Sequence, residues 1–207
     1  MTSRPTEVFA RVLERRAPIF EPLAIIATVS LLTTWALQPY VVHALAQQGA
    51  VAEGAAQAAL WLSGVLSPLA ALVKACAAAV ICWSCAVFLD ERLSLFRLIS
   101  IFCVAETVFS LRDVTMLGVL AARGIDTMHT ASDLMVAFGI NAFVHSSSSL
   151  WRIGFESWDM FSVAWGLLAF WMIRALYKTD ARSTACLAVM AFAFRTLFAA
   201  ASLLYSL

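Results

Sequence analysis

Glu106, Arg112 and Asp113 fall inside one apolar stretch, Leu95 to Leu120. A charged residue near the centre of a membrane span costs about 2.5–3.5 kcal/mol on insertion scales. Such residues are therefore expected to face one another inside a helix bundle. Glu106, Ser110 and Asp113 are spaced i, i+4 and i+7, which puts them on one helix face. Two more charges, Lys74 and Arg195, interrupt other apolar stretches. Depth can be counted at about 1.5 Å per residue from the cytoplasmic end of each span. By that count Lys74 shares a level with Asp113, and Glu106 shares one with Arg195, so two acids meet two bases. The expected network of Lys74, Glu106, Arg112, Asp113 and Arg195 suits two roles. Structural ion pairs would fix helix register, whereas a polar path would pass protons or a small solute. For the second role Thr28, Ser30, Thr33 and Thr34 in the first span offer another polar face.

Other reactive residues form no constellation. Cys82-Trp83-Ser84-Cys85 spells C-x-x-C, but an electron-shuttling pair needs a stabilised thiolate, and no basic neighbour precedes it. The five cysteines, at 76, 82, 85, 103 and 186, all lie in apolar segments and read as small hydrophobes rather than a disulfide framework. His43, His129 and His145 are scattered, without the ligand pattern a metal or haem would need. His145 precedes four serines, yet no orienting acid or oxyanion hole can be placed beside it. The expectation is a protein with no catalytic residue, no metal and no cofactor.

The elements that position these residues are apolar helices. The 207-residue chain is 62% hydrophobic and 13% charged, and its mean hydropathy is +0.87. Several runs approach the roughly 20 residues that cross a bilayer. Seven Trp and fourteen Phe agree with that, since Trp35, Trp61, Trp151 and Trp158 fall near segment ends, at headgroup level. A net charge of +1 gives no reason to expect nucleic acid as a partner.

The pattern predicts an all-α membrane protein with five transmembrane helices, an N-terminal amphipathic surface helix and a long outer segment between helices 3 and 4. Residues 1–21 form a cytoplasmic segment, and 22–207 form the membrane domain. The spans are about 22–42, 68–89, 95–120, 158–177 and 184–205. In 5–17, Val8, Phe9, Val12 and Leu13 make an apolar side and charged residues the rest. Pro39 is expected to kink the outer end of the first span. Ser67-Pro68 is expected to break an over-long apolar run into a short amphipathic helix and the second span. Ala44-Leu45-Ala46 resembles a signal-peptidase site, but the segment before it is long and contains glutamates, so an uncleaved first span is the preferred expectation.

Orientation follows from the basic residues. Arg4, Arg11, Arg15, Arg16, Arg92, Arg97, Arg174, Lys178 and Arg182 collect on one side, against Arg123 and Arg152 on the other. Positive segments stay inside, so the N-terminus is expected in the cytoplasm and the C-terminus outside. The Ala-rich composition and short loops suggest a bacterial inner membrane.

The order of these parts resembles the Yip family, the Ypt/Rab-interacting integral membrane proteins, in its prokaryotic form. The resemblance spans nearly the whole chain. It rests on a surface helix ending near Arg16-Ala17-Pro18, on Leu93-Ser94-Leu95-Phe96-Arg97-Leu98 leading into the third span, and on the long outer segment. Asp159-Met160-Phe161-Ser162-Val163-Ala164-Trp165 looks like that family's opening of the fourth span. The resemblance implies a non-enzymatic five-span protein with a cytosolic N-terminus. Rab contact belongs to a longer cytosolic region than the twenty or so residues here, so that activity is not carried over.

The leading expectation is a non-catalytic membrane protein that organises partners or the bilayer. Arg11, Arg15 and Arg16 would meet anionic headgroups while Val8, Phe9 and Val12 insert. Its partners would be the lipid bilayer and either a second membrane protein or a second copy of the chain. The alternative is a small transporter or ion-coupled subunit that uses Lys74, Glu106, Asp113 and Arg195.

Overall fold

A computed structural model describes residues 18–47, 53–89, 91–127 and 159–204, with Leu134 and Phe138. Within them the protein is all-helical and no strand is present. Its α-helices are α1 (Phe20–Gln47), α2 (Glu53–Phe88), α3 (Leu95–Arg123), α4 (Met160–Tyr177) and α5 (Ala181–Leu204). A short 3-10 turn, Ile125–Thr127, follows α3. The surface helix expected over 5–17, with Arg11, Arg15 and Arg16, lies outside the described residues, as do His129, His145 and the four serines.

Three helices are long and apolar enough to cross a membrane: α1 over Phe20–Ala46, α2 over Gln57–Phe88, and α4. They carry large apolar side chains on their outer surfaces, including Leu32, Trp35, Leu62, Val65, Leu167 and Trp171. Lipid tails satisfy such a surface, while the helical backbone satisfies its own polar groups.

Two local expectations meet a different outcome. Helix α2 does not break at Ser67-Pro68. It runs unbroken for 36 residues with Pro68 inside it, about 54 Å at the usual rise. A proline within a helix costs about 3 kcal/mol, but ending the helix in apolar surroundings would strand several backbone groups at once. The region is also fastened sideways, because Ser30 Oγ donates to Ser67 Oγ at 2.8 Å. Helix α1 likewise continues through Pro39 to Gln47, five residues beyond the expected end at Val42.

Packing divides the bundle lengthwise. Helix α3 packs on α1, α2 and α4, and α5 closes against α2 and α4. The dry core lies toward the 91–94 connection. There Ala75, Ala78, Ala79, Cys82 and Ala86 of α2 present a small-residue face to Leu98, Ile101, Phe102 and Ala105 of α3. Small residues let helix backbones approach closely, which is how apolar helices gain packing energy when lipid is the alternative neighbour. Trp165 of α4 is fully buried in that core and stacks on Phe102, with ring centroids 5.5 Å apart. All five cysteines are free thiols.

Polar ties hold this end together. Tyr177 Oη donates to the Ser94 carbonyl at 3.1 Å and accepts from the Ser94 amide at 3.2 Å, joining the end of α4 to the start of α3. Ser100 Oγ donates to the Pro18 carbonyl at 2.9 Å, fixing the approach to α1. Beyond the dry core, level with the middle of α3 and the start of α4, polar side chains line a separation between the helices.

Candidate functional site

That separation leaves a cavity of about 470 Å³. Every described α-helix contributes to its wall. Ile26 and Ser30 come from α1, Ser67, Ala70, Ala71 and Lys74 from α2, and Glu106, Phe109, Ser110, Arg112 and Asp113 from α3. Asp159 and Ser162 precede and open α4, and Phe192, Arg195 and Thr196 come from α5. Helical spacing explains the α3 set, because Glu106, Ser110 and Asp113 do share a face and that face meets the cavity.

Glu106 and Arg195 form the closed part of the site. Arg195 Nη1 donates to Glu106 Oε1, with Glu106 only 4% exposed. The guanidinium also lies over the Phe109 ring, 3.8 Å from its centroid, and 5.0 Å from that of Trp165. A planar cation is well suited to that position, since it can stack on aromatic faces while its edge serves the carboxylate. The Trp165 Nε1–H, fully buried beside this pair, makes no hydrogen bond of normal geometry.

Arg112 forms the looser part. Its Nε is 3.7 Å from Asp113 Oδ1, and its Nη1 is 3.6 Å from Asp159 Oδ2. Both separations exceed the roughly 2.7–2.9 Å of a close charge-assisted hydrogen bond. One guanidinium is thus shared between two carboxylates. Asp159 is 5% exposed and has a second duty as the N-cap of α4, where its Oδ1 accepts from the Ser162 amide at 2.6 Å. An aspartate at that position satisfies an otherwise unpaired amide and complements the helix dipole.

Lys74 departs from expectation. Equal depth puts it on the level of Asp113, yet among the described residues no carboxylate lies within 4.0 Å of its ammonium. The reason is geometric: depth along a helix fixes level but not direction. Arg112, one residue from Asp113 on the same helix, reaches that carboxylate instead. Lys74 stands at the cavity wall within electrostatic range of Glu106 and Asp113.

The cavity wall therefore carries the five residues singled out from the sequence and one more, Asp159, with Lys74 outside the contacting pairs. Asp159 was readable as the start of a helix, being an Asp directly before an apolar run with Ser162 three residues on. Nothing in its spacing connects it with Arg112, because the two lie 47 positions apart with an unpatterned segment between them. Phe109, whose ring centroid is 3.8 Å from the Arg195 Cζ and 5.4 Å from the Arg112 Cζ, reads as an ordinary core aromatic.

Chemically the described residues give the cavity three basic and three acidic side chains together with Ser30, Ser67, Ser110, Ser162 and Thr196. Among the described residues no cysteine or histidine lines it, and no three His, Cys, Asp or Glu side chains gather as metal ligands would. Its volume is within the roughly 300–1,000 Å³ of small-molecule sites. Compared with protein-family models, curated proteins and solved structures, the chain has no match.

Proposed function

We propose that this chain is a non-enzymatic, five-span integral membrane protein that admits a small polar solute to a charged cavity between its helices. Helices α3 and α5 join α1, α2 and α4 in crossing the bilayer. The N-terminus is cytoplasmic and the C-terminus outside, in a bacterial inner membrane. The observation that carries the proposal is the cavity itself, with Lys74, Glu106, Arg112, Asp113, Asp159 and Arg195 around one open volume. Structural ion pairs alone need no such space. Charges in lipid surroundings are expensive unless matched, and they concentrate where a protein handles ions or polar solutes.

The topology supports the same reading. With a cytoplasmic N-terminus, the dry core near 91–94 closes the inner half and the polar cavity occupies the outer half. A solute would enter from outside and stop short of the dry core that holds Phe102 and Trp165. An organising role of the Yip type, which the layout of the chain resembles, would leave the cavity a structural charge cluster. Thermal denaturation of the purified full chain with small anions, amines and zwitterions decides between them. A solute-binding protein gains stability with at least one class and loses that gain in Lys74→Gln or Asp113→Asn. An unchanged melting temperature across all three classes removes the proposal. Reporter fusions at each end check the orientation, and both ends in one compartment would overturn it.

A further inference from the structure

We infer that the solute is a zwitterion, a small molecule carrying an anionic group at one end and an ammonium at the other. The inference rests on the solute-binding reading of the cavity and specifies the ligand's chemistry. Its basis is the distribution of charge left after internal pairing. Arg195 and Glu106 contact each other directly, with the guanidinium stacked on Phe109, so both are engaged within the wall. Arg112 is flanked by two carboxylates, Asp113 and Asp159, which leaves one negative charge in excess on that side. The matching positive charge is Lys74, on α2, with no carboxylate in contact among the described residues.

Among the described residues the cavity thus presents a cation with no contacting carboxylate on one wall and surplus carboxylate on another. A simple anion would satisfy Lys74 but leave Asp113 and Asp159 sharing one base at more than 3.5 Å. A simple cation would do the reverse. A zwitterion satisfies both walls at once. Asp113 is the carboxylate available to it, being 31% exposed, whereas Asp159 is 7% exposed in its side chain and already caps α4. Serine hydroxyls at 30, 67 and 110 can donate or accept around the remainder.

Two sources supply this chemistry: a water-soluble amino acid and the ethanolamine phosphate headgroup of a phospholipid. The test uses the full chain in nanodiscs made only of phosphatidylglycerol, which has no ammonium. The readout is acetylation by acetic anhydride, quantified by mass spectrometry. The chain has only two lysines, so Lys178, exposed in the α4–α5 turn, is the internal control for Lys74.

Alanine or added phosphatidylethanolamine is expected to slow acetylation of Lys74 relative to Lys178. That ratio cancels the anhydride consumed by the added amines, and the anhydride is kept limiting so that most of the ligand stays unacetylated. At ten times the dissociation constant the slowing is about tenfold. Protection by alanine identifies a soluble ligand, and protection by the lipid alone identifies a headgroup. Asp113→Asn is expected to shift the protecting concentration upward by roughly tenfold or more. Propionate protecting Lys74 as well as either zwitterion does would overturn the zwitterion inference and leave a solute cavity standing. Protection unaltered by Asp113→Asn would also overturn it. Ethylamine, lacking an anion, is expected to give no protection; equal protection by ethylamine counts against the inference. If no compound protects Lys74, the solute-binding reading falls, and the inference with it. The wild-type measurement needs no variant to fold.

Discussion

Arg195 reaches from α5 to donate a hydrogen bond to Glu106 on α3, and its guanidinium lies against the rings of Phe109 and Trp165. A buried pair of this kind is costly to break, since loss of one partner leaves the other uncompensated, at about 3–5 kcal/mol. Replacing both partners by apolar residues of similar volume is often close to neutral. Glu106→Met or Arg195→Met alone is therefore expected to lower stability by that amount. The double variant should recover most of the loss. Unfolding in detergent, read as a double-mutant cycle, checks this; additive losses would mean that the contact carries no coupling.

A helix rises by a constant amount per residue, so relative level was legible in the sequence for Glu106 and Arg195, which meet. Rotation about the helix axis was legible only within a helix, through the i, i+4, i+7 face of Glu106, Ser110 and Asp113. Between helices it depends on packing. Glu106 therefore meets Arg195, whereas Lys74, equally well matched in depth to Asp113, is not in contact with it. The same limit hid Asp159, whose capping role is local but whose partner Arg112 lies on another helix. Helix existence followed from apolar length. The Ser67-Pro68 boundary misled because a proline penalty calibrated in water competes here with the larger cost of unpaired backbone in an apolar setting.

Close approach of α1 and α2 depends on Gly64. A Cβ built there would run into Thr34 Oγ1 and lie 3.2 Å from Thr34 Cβ. Gly64→Ala is expected to cost about 1–3 kcal/mol, the usual range for overpacking. Adding Thr34→Ala removes the nearest atom and should restore part of the loss. Thermal melts of the two variants test the contact, and an unaffected Gly64→Ala protein would show that the helices can separate freely.

The α4–α5 turn holds Lys178 in the left-handed region, at φ 54° and ψ 25°, with its amide donating to the Arg174 carbonyl at 3.0 Å. A side chain in that conformation costs roughly 1–2 kcal/mol, which glycine avoids. Part of the gain is offset by the greater freedom of glycine in the unfolded chain. Lys178→Gly is expected to raise the melting temperature slightly, and Lys178→Val to lower it, since a β-branched residue tolerates positive φ least. The opposite order would contradict the turn geometry.

Acid should loosen the same turn through Asp180. Its carboxylate accepts from the Ser183 amide at 3.1 Å and the Arg182 amide at 3.3 Å. Hydrogen bonds from Ser183, foremost, hold its pKa below the ordinary value of 3.8. With the folded pKa depressed, the stabilisation is present above that ordinary value and fades as pH falls through the lower folded value. Wild-type protein is therefore expected to lose melting temperature below about pH 3.8, relative to Asp180→Asn. Asparagine can still cap the helix but has no proton to gain. Parallel melting curves for the two proteins down to pH 2.5, about one unit and more below that value, would mean that Asp180 titrates alike in the folded and unfolded chains.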